Sequence, residues 1–233
     1  MKKYNHLFFD LDHTIWDFET NAKEAMCQSF RENNLFNKGI PDYELFYEKY
    51  SEHNHRLWDR YSKGFIKQDE LKWKRIWLAL LDFKIADEHL AKKMSGEFLS
   101  ILPQQKKVFP YTYEILNYLK NKKYRLHLIT NGFNEIQYNK LRNADLTDFF
   151  EEVITSEVSG SLKPDKEIFS FALKKTNASV EESIMIGDNI EADIKGAQNF
   201  GMDTIFVNHI HMDASNITPT FEIRHLKELE NIF

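Results

Sequence analysis

Apolar and polar positions along the chain fall into two textures. From about residue 17 to residue 100, apolar side chains recur at the three- and four-residue spacing of amphipathic helices, and strand signals are scarce. Ala22, Ala25, Met26, Ser29 and Phe30 share one helix face. Trp73, Trp77, Leu80 and Leu81 mark another, with Lys72, Lys74 and Arg75 elsewhere on the same helix. After Pro103 and Pro110 the texture changes to short apolar runs at residues 126–129, 153–154, 184–186 and 205–207. Between the runs lie helical patterns, one through Ile168, Phe169, Ala172 and Leu173, another through Ile190, Ile194 and Ala197 closed by Gly201. Repeated strand and helix imply right-handed crossovers and a parallel sheet covered on both faces. A first strand at residues 7–9 must join that later sheet. The predicted fold is therefore α/β, with a core formed by residues 1–16 and 104–233. The all-helical segment 17–103 is inserted after the first strand, most naturally as a cap over the catalytic edge.

Composition narrows the function classes. The 233 residues are 42% hydrophobic and 29% charged, the balance of a globular chain with ample length for a core. A net charge of −5 without a basic tract disfavours a nucleic-acid partner. A single cysteine, Cys27, excludes an internal disulfide and fits a reducing compartment. The N-terminal apolar run is too short for a signal peptide or a membrane span, so the expectation is a cytoplasmic chain. No protein partner is implied.

Candidate chemistry gathers where predicted strands end, the edge at which open α/β sheets bind ligands. Asp10 and Asp12 follow the first strand and lie on one side if its alternation runs on. Like charges that close call for a cation or a shared proton, so the pair suggests a divalent metal, acid–base chemistry, or both. Thr130-Asn131-Gly132 follows the strand ending at Ile129. A hydroxyl, an amide and a permissive glycine there suit the close approach of an anion, although Asn-Gly is also ordinary turn chemistry. Lys163-Pro164-Asp165 precedes a helix, with Asp165 as its N-cap and the lysine outside the helix body. Asp188 follows the strand at 184–186, and Asp193 lies about one helical turn further on, placed to support a metal or to serve the helix start.

Four such elements in this order resemble the haloacid-dehalogenase-like hydrolase superfamily, over nearly the whole chain. The residues that carry the resemblance are Asp10-Leu11-Asp12-His13-Thr14, Thr130-Asn131-Gly132, Lys163-Pro164-Asp165 and Gly187-Asp188 through Asp193. The helical insertion looks like the superfamily's helical-cap subclass, on a Rossmann-like core. The phrases Phe9 to Phe18, Thr130-Asn131-Gly132-Phe133 with Gln137 and Leu141, and Lys163-Pro164-Asp165-Lys166 with Ile168-Phe169 are similar to its pyrimidine 5′-nucleotidase subgroup. The resemblance implies a phosphomonoesterase. In it Asp10 attacks phosphorus, and Asp12 protonates the leaving oxygen and later activates water. It also implies Mg²⁺ held by Asp10, the Asp12 backbone carbonyl and Asp188, because anionic nucleophile and anionic phosphoryl group need counter-charge. Thr130, the Asn131 backbone and Lys163 would hold phosphate oxygens, Thr14 would orient the first loop, and Asp193 would support the site. The implied substrate is a small phosphorylated metabolite, a nucleoside 5′-monophosphate foremost. A sugar-phosphate phosphatase or phosphosugar mutase is the alternative, and a non-catalytic scaffold is disfavoured because no carboxylate or lysine of the set is lost.

Other residues invite weaker readings. His53 with His55, and His209 with His211, lack the i, i+4 spacing and the nearby cysteines of zinc sites. Cys27, Trp73 and Trp77 read as core. Lys63 and Lys67 carry no mark of the desolvated lysine that a phosphonate hydrolase would need. Trp16, Phe18 and Phe133 are the aromatics nearest the candidate site and so the candidates to touch a substrate base.

Overall fold

The computed structural model describes residues 4–211 and 218–233. A short buried strand, β1 (His6–Phe9), comes first. Four helices follow it: α1 (Phe18–Glu32), α2 (Tyr43–Ser62), α3 (Gln68–Asp82) and α4 (Glu88–Ile101). Strands and helices then alternate through α5 (Thr112–Asn121), β2 (Arg125–Thr130), α6 (Asn134–Asn143), β3 (Glu152–Thr155), α7 (Ser156–Ser159) and α8 (Lys166–Thr176). β4 (Ser183–Gly187), a π-helical stretch (Ile190–Lys195), α9 (Gly196–Phe200), β5 (Asp203–Val207) and β6 (Phe221–Ile223) come next, followed by a 3₁₀ helix (Leu226–Asn231). The chain divides into two compact units, one of Met1–Phe18 with Lys106–Phe233, the other of Glu19–Gln105.

The first unit is the α/β core that the alternating texture predicts. Its sheet has the order β3-β2-β1-β4-β5-β6, with every pairing parallel. All residues of β1 and β4 are buried, as expected of central strands covered on both faces. On one face Phe8, Ile129, Ile154 and Met185 pack with Ile168, Phe169, Ala172 and Leu173 of α8 and Ala197 of α9. β1 is the switch point: β2 and β3 lie to one side of it, β4, β5 and β6 to the other, which opens a crevice at its carboxyl end. The edge strand β6 has no counterpart in the apolar pattern, because Ile223 is its only buried residue. The helix expected through Ile190, Ile194 and Ala197 is a π-helix that tightens into α9. It closes at Gly201, whose φ of 98° only glycine adopts readily.

The second unit is wholly helical. α1 buries Ala22, Ala25, Met26, Ser29 and Phe30, the face read from their spacing, together with Asn21. Cys27 is half-buried beside that stripe rather than within it. In α3 the buried face differs from the expected one. Leu71, Arg75, Ile76, Ala79 and Leu80 point inward, whereas Trp73 and Trp77 are half-buried and Leu81 is exposed. Arg75 is tolerated inside because its guanidinium donates to Asn54 Oδ1 at 2.9 Å and to the Lys72 carbonyl. It also lies 5.4 Å from the centre of the Phe98 ring. Lys63 and Lys67 are exposed, and His53 is bonded to Asp82 at 2.7 Å. None of the described helices is long and apolar enough to cross a membrane.

Candidate active site

Asp10 stands one residue past β1, and its amide donates to the Ile186 carbonyl of β4 at 2.8 Å. This anchors it between the two central strands. Lys163 reaches it from the loop before α8. The Lys163 ammonium donates to Asp10 Oδ1 at 2.6 Å and to the Ile129 carbonyl of β2 at 2.7 Å, and lies 2.6 Å from Asp193 Oδ1. Only 2% of Lys163 is exposed, so its charge is met by these partners rather than by solvent. The Asn131 side chain accepts from the Lys163 amide at 2.7 Å and donates to its carbonyl at 2.9 Å. The amide of Asn131 thus stitches the loop after β2 to the loop that presents the lysine, and the Lys163–Pro164 peptide is cis. Asp165 occupies the N-cap position of α8 as expected, but its side chain makes no capping bond and is exposed.

Asp188 and Asp193 come from the end of β4. Thr14, wholly buried, donates to Asp188 Oδ1 at 3.1 Å, which ties the loop after β1 to the loop after β4. Asp193 folds back so that its Oδ2 accepts the Asn189 amide at 2.9 Å. The Ile194 amide reaches back five residues to the Asn189 carbonyl, the wide turn that swings Asp193 inward. A β-carbon on Gly187 would fall 2.3 Å from Asp193 Oδ2, so the glycine is required by the carboxylate packed against it.

Asp10, Asp188 and Asp193 present oxygens that all lie within 4.8 Å of one another. Burial pushes the Asp10 carboxyl up to about 7, against the pull of Lys163 and with a further push from Asp193 and Asp12. Burial likewise holds Asp188 well above the carboxylate range, with Asp193 and Asp10 adding to it. Burial opposes the Lys163 charge, but Asp10 and Asp193 outweigh it and raise its affinity for the proton. One ammonium thus stands among two buried carboxylates and a half-buried third. Hard oxygen donors with surplus negative charge fit a divalent cation such as Mg²⁺.

Asp12 is held apart from this triad. Its Oδ1 and Oδ2 accept from the Lys140 ammonium at 2.6 and 2.9 Å, and Oδ2 also accepts from Gln137 Nε2 at 3.0 Å. Gln137 Nε2 also donates to Thr130 Oγ1 at 2.7 Å, and the Gly132 amide donates to the same oxygen at 3.1 Å. With both acceptor positions of Thr130 taken, its hydroxyl hydrogen is the part left to donate, which suits an anionic oxygen. A β-carbon on Gly132 would sit 2.4 Å from Gln137 Cδ. The glycine of Thr130-Asn131-Gly132 therefore makes room for a side chain, where the sequence suggested an approaching anion.

Lys140 was not among the residues singled out in the sequence, where a helical lysine reads as solvent-facing. The available signal was its position. Gln137, Lys140 and Leu141 are the buried residues of α6, at i, i+3 and i+4, so two polar groups share the inward stripe with Leu141. The expectation that Trp16 touches a substrate base is corrected. Trp16 is fully buried, with the Lys140 ammonium 4.4 Å from its ring centre. Phe133 is only 6% exposed, and Phe18 is half-buried. His209 is engaged with the Thr14 carbonyl at 3.1 Å and stacks on Phe109.

The chain is similar to several known proteins. The chain is 32% identical to the HAD-hydrolase YfnB of Bacillus subtilis (strain 168), covering 100% of this chain and 96% of the relative. A magnesium-bound crystal structure of YfnB superimposes with a TM-score of 0.90 at 30% identity, covering 99% of both chains. The pyrimidine 5′-nucleotidase PynA of Streptococcus pneumoniae is 30% identical, with 97% of this chain and 93% of PynA covered. A glyceraldehyde 3-phosphate phosphatase of Methanothermobacter thermautotrophicus is 32% identical, with coverages of 96% and 98%. The family model for haloacid dehalogenase-like hydrolases matches residues 4–201. With those residues spanning both the central strands and the carboxylate cluster at their ends, the chain belongs to the haloacid dehalogenase-like hydrolase family.

Proposed function

We propose that the protein is a Mg²⁺-dependent phosphomonoesterase that works through an aspartyl-phosphate and acts on nucleoside 5′-monophosphates. The observation that carries this reading is the separation of two carboxylates two residues apart. Asp10 is paired with Lys163 inside an acidic triad, and Asp12 is paired with Lys140 outside it. Such a pair can divide nucleophilic and proton-transfer work.

In the first half-reaction a carboxylate oxygen of Asp10 forms a bond to phosphorus as the bond to the ester oxygen breaks. Asp12 gives that oxygen a proton. In the second half, Asp12 takes a proton from a water whose oxygen attacks phosphorus, and inorganic phosphate leaves with Asp10 restored. Lys163 orients Asp10 and offsets charge on the phosphoryl oxygens. Thr130 and the Asn131 backbone hold the remaining oxygens, while Thr14 and Asp193 keep the loops after β1 and β4 in place. Mg²⁺ would be held by Asp10, the Asp12 backbone carbonyl and Asp188, and when bound it supplies counter-charge to the phosphoryl group.

Choice of ester rests on the relatives. PynA supports a pyrimidine nucleotide, and the glyceraldehyde 3-phosphate phosphatase supports a small sugar phosphate as the second reading. The test is a comparison of kcat/KM for dUMP, dAMP, glucose 6-phosphate and glyceraldehyde 3-phosphate with Mg²⁺ present. A preference for dUMP is expected. Equal values across the panel would refute the nucleotidase reading and leave the phosphatase, and a preference for the triose phosphate would establish the alternative.

A further inference from the structure

We propose that Lys140, assisted by Gln137, is a positioning residue for Asp12, fixing its carboxylate on the proton-transfer side of the site in both half-reactions. The inference rests on the reading of Asp12 as acid and base.

Three observations converge. First, the lysine and the glutamine come from one face of α6 and are 2% and 0% exposed, yet both point at a carboxylate whose side chain keeps 21% of its surface accessible. A buried lysine is unfavourable for a fold unless something needs its charge. Second, the bonds are directional. Lys140 takes both oxygens of Asp12, and Gln137 adds a third bond to Oδ2. A carboxylate gripped at both oxygens has one orientation, and that orientation keeps it outside the Asp10–Asp188–Asp193 group. Third, the amide of Gln137 is committed against its own interest. Its nitrogen serves Asp12 and Thr130, while its buried Oε1 has no hydrogen-bond partner. Turning the amide over would set its oxygen against the Asp12 oxygen that now accepts from it, acceptor against acceptor. The aromatic rings of Trp16 and Phe18, 4.4 and 5.5 Å from the ammonium, wall the lysine into this position.

The two buried lysines thus divide the site. Lys163 belongs to the attacking carboxylate and Lys140 to the proton-carrying one, each at 2.6 Å. A lysine that only stabilised the fold would affect every ester alike. One that positions the acid affects most those esters whose leaving oxygen needs a proton.

The experiment compares phenyl phosphate with 2,4-dinitrophenyl phosphate, whose leaving group departs without protonation, for the parent enzyme, K140M, D12N and the double variant. General acid catalysis contributes about 10²–10⁴-fold. K140M is therefore expected to lower kcat/KM for phenyl phosphate by about 30-fold or more, and for the dinitrophenyl ester by less than about threefold. D12N should show the same contrast more strongly, and D12N/K140M should be no worse than D12N by more than about twofold, because the lysine acts through the aspartate. K140Q, which keeps a polar group in the buried position, should reproduce K140M and guards against a folding failure. An equal loss on both esters in K140M and K140Q, with D12N still selective, would overturn the role of Lys140 alone. A D12N variant without selectivity would instead overturn the acid reading of Asp12, and the positioning role with it. A double variant that multiplies the two losses would show that Lys140 acts elsewhere.

Discussion

Lys163 concentrates the physics of the site in one side chain. Its ammonium touches Asp10, Asp193 and the end of β2, so it serves at once as counter-ion and as a brace between three strand ends. Replacing it with methionine keeps much of the volume and removes the charge. The expected result is a fall in kcat/KM of about 10²–10³-fold, as for loss of a preorganised electrostatic donor. Steady-state kinetics on the folded variant checks this, and activity within fivefold of the parent would contradict it. The lysine's place beside Asp10 was legible because it stands before a predicted helix and next to a proline, in a set ordered along the chain. Lys140 was legible only as a member of a stripe shared with Gln137 and Leu141, and that spacing does not reveal a charge that turns inward to meet Asp12, 128 residues earlier. Trp16 was misread for a related reason. Proximity in sequence to Asp12 placed it near the site, but its ring is buried, with Lys140 of α6, far along the chain, over it.

At the scale of elements, the short apolar runs were reliable guides to β1, β2, β4 and β5, because central parallel strands are buried on both faces and carry little else. β6 and the inward face of α3 were not, since an edge strand with one buried residue and a helix that buries an arginine break the pattern they belong to. Arg75 carries a prediction. Arg75→Ala strips Asn54 of a donor and removes the contact with Phe98. It should destabilise the helical unit by about 2 kcal/mol, read from denaturant unfolding. An unchanged midpoint would contradict the packing described for α3. The glycines at strand ends supply a second prediction. Gly187→Ala places a methyl 2.3 Å from Asp193 Oδ2 and must push that carboxylate away from Lys163. A loss of stability of about 1–3 kcal/mol is expected. The Mg²⁺ concentration needed for half-maximal activity should also rise, and a variant with parental stability and metal response would show that Asp193 does not depend on the space at Gly187.

For the whole molecule, the sheet is expected to lose stability in acid. His6 and His127 stack in adjacent strands with ring nitrogens 3.1 Å apart. Burial, followed by the neighbouring His6, pushes His127 from its ordinary value of 6.5 down to about 4. Burial lowers His6 as well. The unfolded chain binds protons near pH 6.5 that the folded sheet refuses, so stability is full above that pH and declines as pH falls from 6.5 towards 4. His127 alone accounts for up to about 3 kcal/mol over that window. Unfolding midpoints measured between pH 7.5 and 4.5, flanking roughly the histidine range, should fall steadily below neutrality. A flat profile would show that both imidazoles accept protons in the folded state.

Phosphorylation of Asp10 during turnover can be trapped. The enzyme is mixed with Mg²⁺ and a turning-over phosphate ester, quenched in acid, and its peptides are mapped by mass spectrometry. A phosphoryl group is expected on the peptide that contains Asp10, located at that residue. D10N is expected to lose both the label and more than about 10³-fold of the activity. Sustained turnover with no phosphorylated aspartate, together with D10N activity within tenfold of the parent, would contradict this role of Asp10.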